Sequence, residues 1–149
     1  MASRITRRAS VEWRGDVENG AGTIALGSKA FEGPYSLRSR VEDVPQANPE
    51  ELIGAANAAC FSMSLSDLLS SQGTPPTSLD TKARVVMEEE SGRYSITRIE
   101  LDVVGEVPGC DAETFDRLAA QAEATCPVSR ALAGTKIVLT SRLVGEDAR

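Results

Sequence analysis

The chain has 149 residues, a formal charge of −6 and no histidine, a size that predicts one domain, residues 1–149, with a substantial core. The acidic excess argues against nucleic-acid binding, which needs a basic face, and the missing histidine excludes Ser–His–Asp triads, Cys–His nucleophile pairs and histidine-ligated metals. No apolar run approaches the roughly 18 residues of a membrane span, and the N-terminal stretch lacks a signal-peptide core, so a cytoplasmic protein without membrane contact is expected. Three cysteines do not make a secreted disulfide framework; in a reducing compartment a disulfide among them would be transient.

The first 43 residues read as a three-stranded meander: ITRRASVEW, TIAL after a Gly-rich turn, and PYSLRSRVE after Gly33-Pro34. Alternation in the third strand puts Tyr35, Leu37, Ser39 and Val41 on one face and Arg38, Arg40 and Glu42 on the other, so two arginines would share a face. A helix then starts with Asn48 as N-cap, Pro49 at the first helical position and Glu51 as capping-box partner. From Leu52 to Leu69 its apolar residues nearly encircle the axis, which predicts a helix buried on most sides and ended at Gly73. KARVVMEEE and RYSITRIELDVVGEV read as a hairpin joined at SGR. Asp111 can cap a second helix bearing Phe115, Leu118, Ala119 and Ala122 at helical spacing. Pro127 ends that helix near Cys126 and opens a short one closed by Gly134, and KIVLTSRLV is a last strand. The order is α+β rather than βαβ.

The chemistry left to such a chain must use Cys, Arg, Glu, Asp, Lys, Tyr or Ser, and among these the thiols offer candidate nucleophiles. An ordinary thiol is only about 3% ionised at neutral pH, so a nucleophilic cysteine needs a cation or a helix dipole. Cys126, at the start of PVSRALAG, has a dipole; Cys60, nearly three turns inside its helix, needs a cation from outside it. The arginines of SLRSRVE are candidates, with Glu50 or Glu51 to orient them. Ten residues from Glu50 to Cys60 span about 15 Å of helix. Either an arginine bridges that gap or the carboxylate comes from a second chain, which points to a homodimer. Each residue also has a plain structural reading: Cys60 as a buried small hydrophobe, Cys126 as part of a Cys-Pro helix start, the arginines as solvated, the glutamates as dipole complements. Cys110 has no activating neighbour and reads as incidental.

NPEELIGAANAACFSMSLS together with CPVSRAL resembles the OsmC/Ohr family of thiol-dependent peroxidases, and the likeness extends to WRGDVENGAGTI, PYSLRSRVE, PTSLDTKARV, ITRIELDV and PGCDAETFDRLAAQAEATCPVSRAL. The WRGD start and PYSLRSRVE lie closer to the OsmC branch. The resemblance implies an OsmC-like α+β fold with antiparallel sheets around a long buried central helix, in an intertwined homodimer with active sites at the interface. It implies Cys60 as peroxidatic cysteine, Cys126 as resolving cysteine, Arg40 as activating arginine and Glu50 as its carboxylate. It further implies no cofactor or metal, an organic hydroperoxide substrate, and recycling by an external lipoyl-type or other small dithiol. A redox sensor or stress-binding protein using the same cysteine pair without turnover is the alternative, and a pocket that binds an apolar ligand without chemistry is a third. The chain departs from the family at Asn57, where histidine is frequent, and Cys110 matches no family cysteine.

Overall fold

The computed structural model describes residues 3–145, and the chain packs as two compact units that divide after Leu52. In the first, β1 (Ala9–Arg14), β2 (Ala21–Leu26) and β3 (Glu32–Tyr35) form an antiparallel sheet in that order. The register aligns Trp13, Gly22 and Tyr35 across the three strands. Their rings meet with centroids 5.4 Å apart because Gly22 has no Cβ; one built there would lie 2.5 Å from Tyr35 and 2.9 Å from Trp13.

The segment after β3 corrects the sequence reading. SLRSRV is not strand: Ser36 caps a short helix, α1 (Leu37–Val41). Ser36 Oγ accepts from the Ser39 amide at 3.3 Å and Ser39 Oγ accepts from the Ser36 amide at 3.0 Å, a reciprocal capping box that strand alternation does not register. Ser39 also donates to the Ala47 carbonyl at 2.8 Å, fixing α1 to the chain that follows. On a helix, residues two apart are turned by roughly 200°, so Arg38 and Arg40 do not share a face.

The long helix α2 (Pro49–Ser71) starts as expected, the Glu51 amide donating to Asn48 Oδ1 at 2.8 Å. It ends in a Schellman motif, with Gly73 at φ +91°, its amide on the Ser70 carbonyl and the Thr74 amide on the Leu69 carbonyl, both 3.0 Å. In the second unit β4 (Ser78–Glu90) and β5 (Arg93–Glu106) form the expected hairpin, turning at Ser91 and Gly92, both at positive φ. Then follow α3 (Ala112–Thr125), capped by Asp111, the short α4 (Pro127–Ala131) and β6 (Lys136–Leu143). β6 joins β5 in parallel, so this sheet is mixed rather than purely antiparallel. The α3–α4 segment supplies the crossover that a parallel pairing requires.

Phe61, Leu65 and Leu69 of α2 meet Ile99, Leu101 and Val103 of β5 and Phe115, Leu118, Ala119 and Ala122 of α3 in one core. Among the described residues α2 is the helix long and apolar enough to cross a membrane, but those three side chains are fully buried in this core. The expectation that α2 is enclosed does not hold for the single chain. Ala55, Ala56 and Ala59 are exposed and Met63 is 75% exposed, leaving one small-residue face uncovered.

Gly105 sits under Phe115: a Cβ there would lie 2.6 Å from two ring atoms and 3.2 Å from Leu79. Gly105→Ala is expected to cost about 1–3 kcal/mol by overpacking, read as a lower urea midpoint with an unchanged denaturant slope.

Candidate active site

Four residues singled out in the sequence fall into two pairs, one in each unit. In the first unit Arg40 leaves α1 toward the start of α2, and its Nε and Nη2 both reach Glu50 Oε1, at 2.8 and 2.7 Å. The two are ten positions apart in the chain, and it is the return of the Val44–Asn48 segment after α1 that closes the distance. The Glu50 side chain is only 11% exposed against 43% for Arg40, so the guanidinium keeps one side open while its anchor is shielded. Glu50 Oε2 is buried and has no hydrogen-bond partner. Arg40 also borders a cavity of about 210 Å3 whose other walls include Trp13, Val17, Tyr35, Leu37 and Pro49. A cation set among aromatic and aliphatic side chains suits a small molecule with a polar end and an apolar body. Arg38, the second arginine of the motif, is spent on Glu42 at 2.7 Å on the exposed face of α1.

In the second unit Cys60 and Cys126 come together. Pro127 has no amide proton and closes α3, so Cys126 is both its C-cap and the N-cap of α4. Cys126 is fully buried and Cys60 half-buried, and both are free thiols. Their side chains interact directly, and the Val128 amide acts on both sulfurs. Burial pushes the Cys60 thiol up, and its role as donor to Cys126 pushes it further. Burial also pushes Cys126 up, but the Cys60 thiol, the amide and hydroxyl of Ser129 and the Val128 amide outweigh it and hold Cys126 below the ordinary thiol range. Of the two, Cys126 is therefore the sulfur that ionises more readily in the isolated chain.

Sequence reasoning missed Ser129 and left Asn57 unexplained. Asn57, one turn before Cys60 on α2, is fully buried and its Nδ2 donates to Ser129 Oγ at 2.9 Å. The signal available was a polar residue at helical spacing from the cysteine; its partner, far along the chain, had none. Cys110 lies apart, near Gln72 Nε2 at 3.9 Å and donating to the Asp111 carbonyl at 3.4 Å. No cluster of metal-ligating side chains occurs among the described residues.

The shifts set the order of ionisation. As pH rises Cys126, lowered, loses its proton before Cys60, raised, so the ultraviolet thiolate absorbance of this pair is expected to climb in separated steps. Cys60→Ala should remove the late step and move the Cys126 step upward, since the thiol that donates to Cys126 is gone.

The chain is similar to known proteins in sequence and in fold. The OsmC-like protein family model matches residues 42–141. The chain is 44% identical over 129 residues to Peroxiredoxin OsmC of Escherichia coli strain K12, covering 86% of this chain and 90% of that protein. Its fold is similar to an OsmC-like protein from Vibrio cholerae, with a TM-score of 0.75 at 17% identity over 93% of this chain and 99% of that one. It is also similar to an organic hydroperoxide resistance protein from Legionella pneumophila, with a TM-score of 0.69 at 17% identity over 95% and 98% of the two chains. On the family-model match over residues 42–141 and the 44% identity across most of its length, the chain belongs to the OsmC-like protein family.

Proposed function

We propose that the chain is a thiol-dependent peroxidase that reduces organic hydroperoxides to alcohols. The observation that carries the reading is the contact between Cys60 and Cys126, joined to 44% identity with a protein named as a peroxiredoxin. Cys60, the more accessible sulfur, is the nucleophile. Its proton passes to Cys126, the sulfur that ionises more readily, as the peroxide arrives, and the Arg40 guanidinium, oriented by Glu50, stabilises the Cys60 thiolate and the departing oxygen. The Cys60 sulfur attacks the distal oxygen, the O–O bond breaks, and the alkoxide leaves and is protonated to the alcohol. Cys60 is left as sulfenic acid. Cys126 then condenses with it, forming the disulfide and releasing water, and an external dithiol reopens the bond.

Two further points support the finer reading. The cavity beside Arg40 has aromatic and aliphatic walls, which favours hydroperoxides with an organic body over hydrogen peroxide. The uncovered face of α2, Ala55, Ala56, Ala59 and Met63, is what a second copy would cover in a homodimer, with small residues allowing close approach and the Arg40–Glu50 pair of one chain serving the thiols of its partner.

With dithiothreitol as reductant, cumene hydroperoxide is expected to be turned over many times and faster than hydrogen peroxide. Cys60→Ser should abolish turnover and Arg40→Gln should lower kcat/KM about 100-fold. A single stoichiometric oxidation without turnover would instead identify a redox sensor, and Cys60→Ser with unchanged peroxide consumption would end the reading. Sedimentation should give a dimer, and Met63→Glu should shift it to monomer with loss of peroxidase activity; a dimer unaffected by that charge would place the interface elsewhere.

A further inference from the structure

The cycle above leaves one buried polar group unused. Asn57 is fully buried, its Nδ2 donates to Ser129 Oγ at 2.9 Å, and its Oδ1 has no partner. Ser129 is itself 5% exposed and lies three residues after Cys126. A hydroxyl has a single proton. Because Asn57 donates into Ser129 Oγ, that proton is left for another acceptor, and the Ser129 hydroxyl acts on the Cys126 sulfur. With the amide turned the other way, Oδ1 would take the hydroxyl proton and leave Cys126 without it. A carboxamide does not titrate in the working range, so this support is constant, whereas a histidine at the same place would gain and lose a charge.

We propose that Asn57 and Ser129 are positioning residues for the reductive half of the cycle: they stabilise Cys126 as the leaving thiolate when an external thiol attacks Cys60 and opens the Cys60–Cys126 disulfide, and so speed that opening. The inference rests on the disulfide of the proposed function. The incoming thiolate sulfur bonds to Cys60 Sγ, the Cys60–Cys126 bond breaks, and its electron pair leaves on Cys126. The second thiol of the reductant then displaces Cys60 and closes the reductant's own disulfide. The dithiol loses two electrons, the protein disulfide gains them, and the two thiol protons pass to the cysteines. Thiol–disulfide exchange is fastest when the leaving sulfur is the better-stabilised thiolate. Burial acts in the same direction, since Cys126 is enclosed and Cys60 is not, so the test has to separate the hydroxyl from access.

The disulfide is formed with diamide, which bypasses hydroperoxide chemistry, and opened with 2-mercaptoethanol, whose single thiol leaves a mixed disulfide that peptide mass mapping can locate. The adduct is expected on Cys60 with Cys126 free. Ser129→Ala should slow opening about tenfold at neutral pH without relocating the adduct. Asn57→Asp, whose carboxylate takes the hydroxyl proton, should slow it as well, and Ser129→Thr, which keeps the hydroxyl, should restore the parent rate. An adduct on Cys126, opening of Ser129→Ala at the parent rate, or failure of diamide to link Cys60 to Cys126 would each overturn the proposal. Should either Ser129 or Asn57 variant fail to fold by circular dichroism, adduct mapping on the parent and the rate of the remaining variant decide. Absent hydroperoxide turnover with these results intact would remove the proposed substrate and leave the thiol chemistry standing.

Discussion

The constraint on which the chemistry depends is the break between α3 and α4. An uninterrupted helix would carry Cys126 along a continuous ladder of backbone bonds; Pro127 ends that ladder. The turn leaves the Val128 amide acting on both Cys126 and Cys60. One proline thus turns a buried cysteine into half of a coupled pair. The amides and hydroxyl gathered around Cys126 offset a desolvation that alone would keep the thiol neutral. On its own helix Cys60 has only the Ser64 hydroxyl, and the proposed mechanism takes its counter-charge from another element, the Arg40–Glu50 pair of a partner chain.

That ion pair is itself a product of a short local structure. If the segment had continued as strand, Arg40 would have pointed with Arg38 toward the same side. The Ser36–Ser39 capping box instead winds the chain into α1, sends Arg38 to Glu42 and Arg40 to Glu50. Glu50 gives one oxygen to both guanidinium nitrogens and keeps the other buried and unpaired. An isolated carboxylate oxygen out of water is costly, and in the proposed homodimer a second chain would supply its partner. The uncovered face of α2 is the apolar surface that the same proposed partner would cover.

Much of the architecture was legible from the sequence because its signals are local. Asn48-Pro49 and Asp111 announce helix starts through side-chain caps, Gly73 and Ser91-Gly92 announce turns through backbone conformations, and Pro127 announces a break through a missing proton. SLRSRV was misread because alternation and a five-residue helix look alike over so short a span, and the deciding serine pair is a hydrogen-bonding signal rather than a hydropathic one. The burial of α2 was overestimated because an apolar circumference says which residues tolerate burial and not what covers them.

The sequence by itself determined the order of elements apart from α1, the candidate thiols Cys60 and Cys126 with an arginine pair and a glutamate pair to serve them, and the absence of any histidine chemistry, since residue type and near-neighbour spacing suffice for these; the choice of Arg40 and Glu50 within those pairs came from the family resemblance. It also required that the cation for Cys60 lie outside the helix, because helix rise is fixed. Only the tertiary structure decided that Cys60 and Cys126 touch, that Cys126 ionises more readily than Cys60, and that Asn57 reaches Ser129. Those facts depend on groups far apart along the chain, and contact between distant residues is set by packing, which no local pattern encodes.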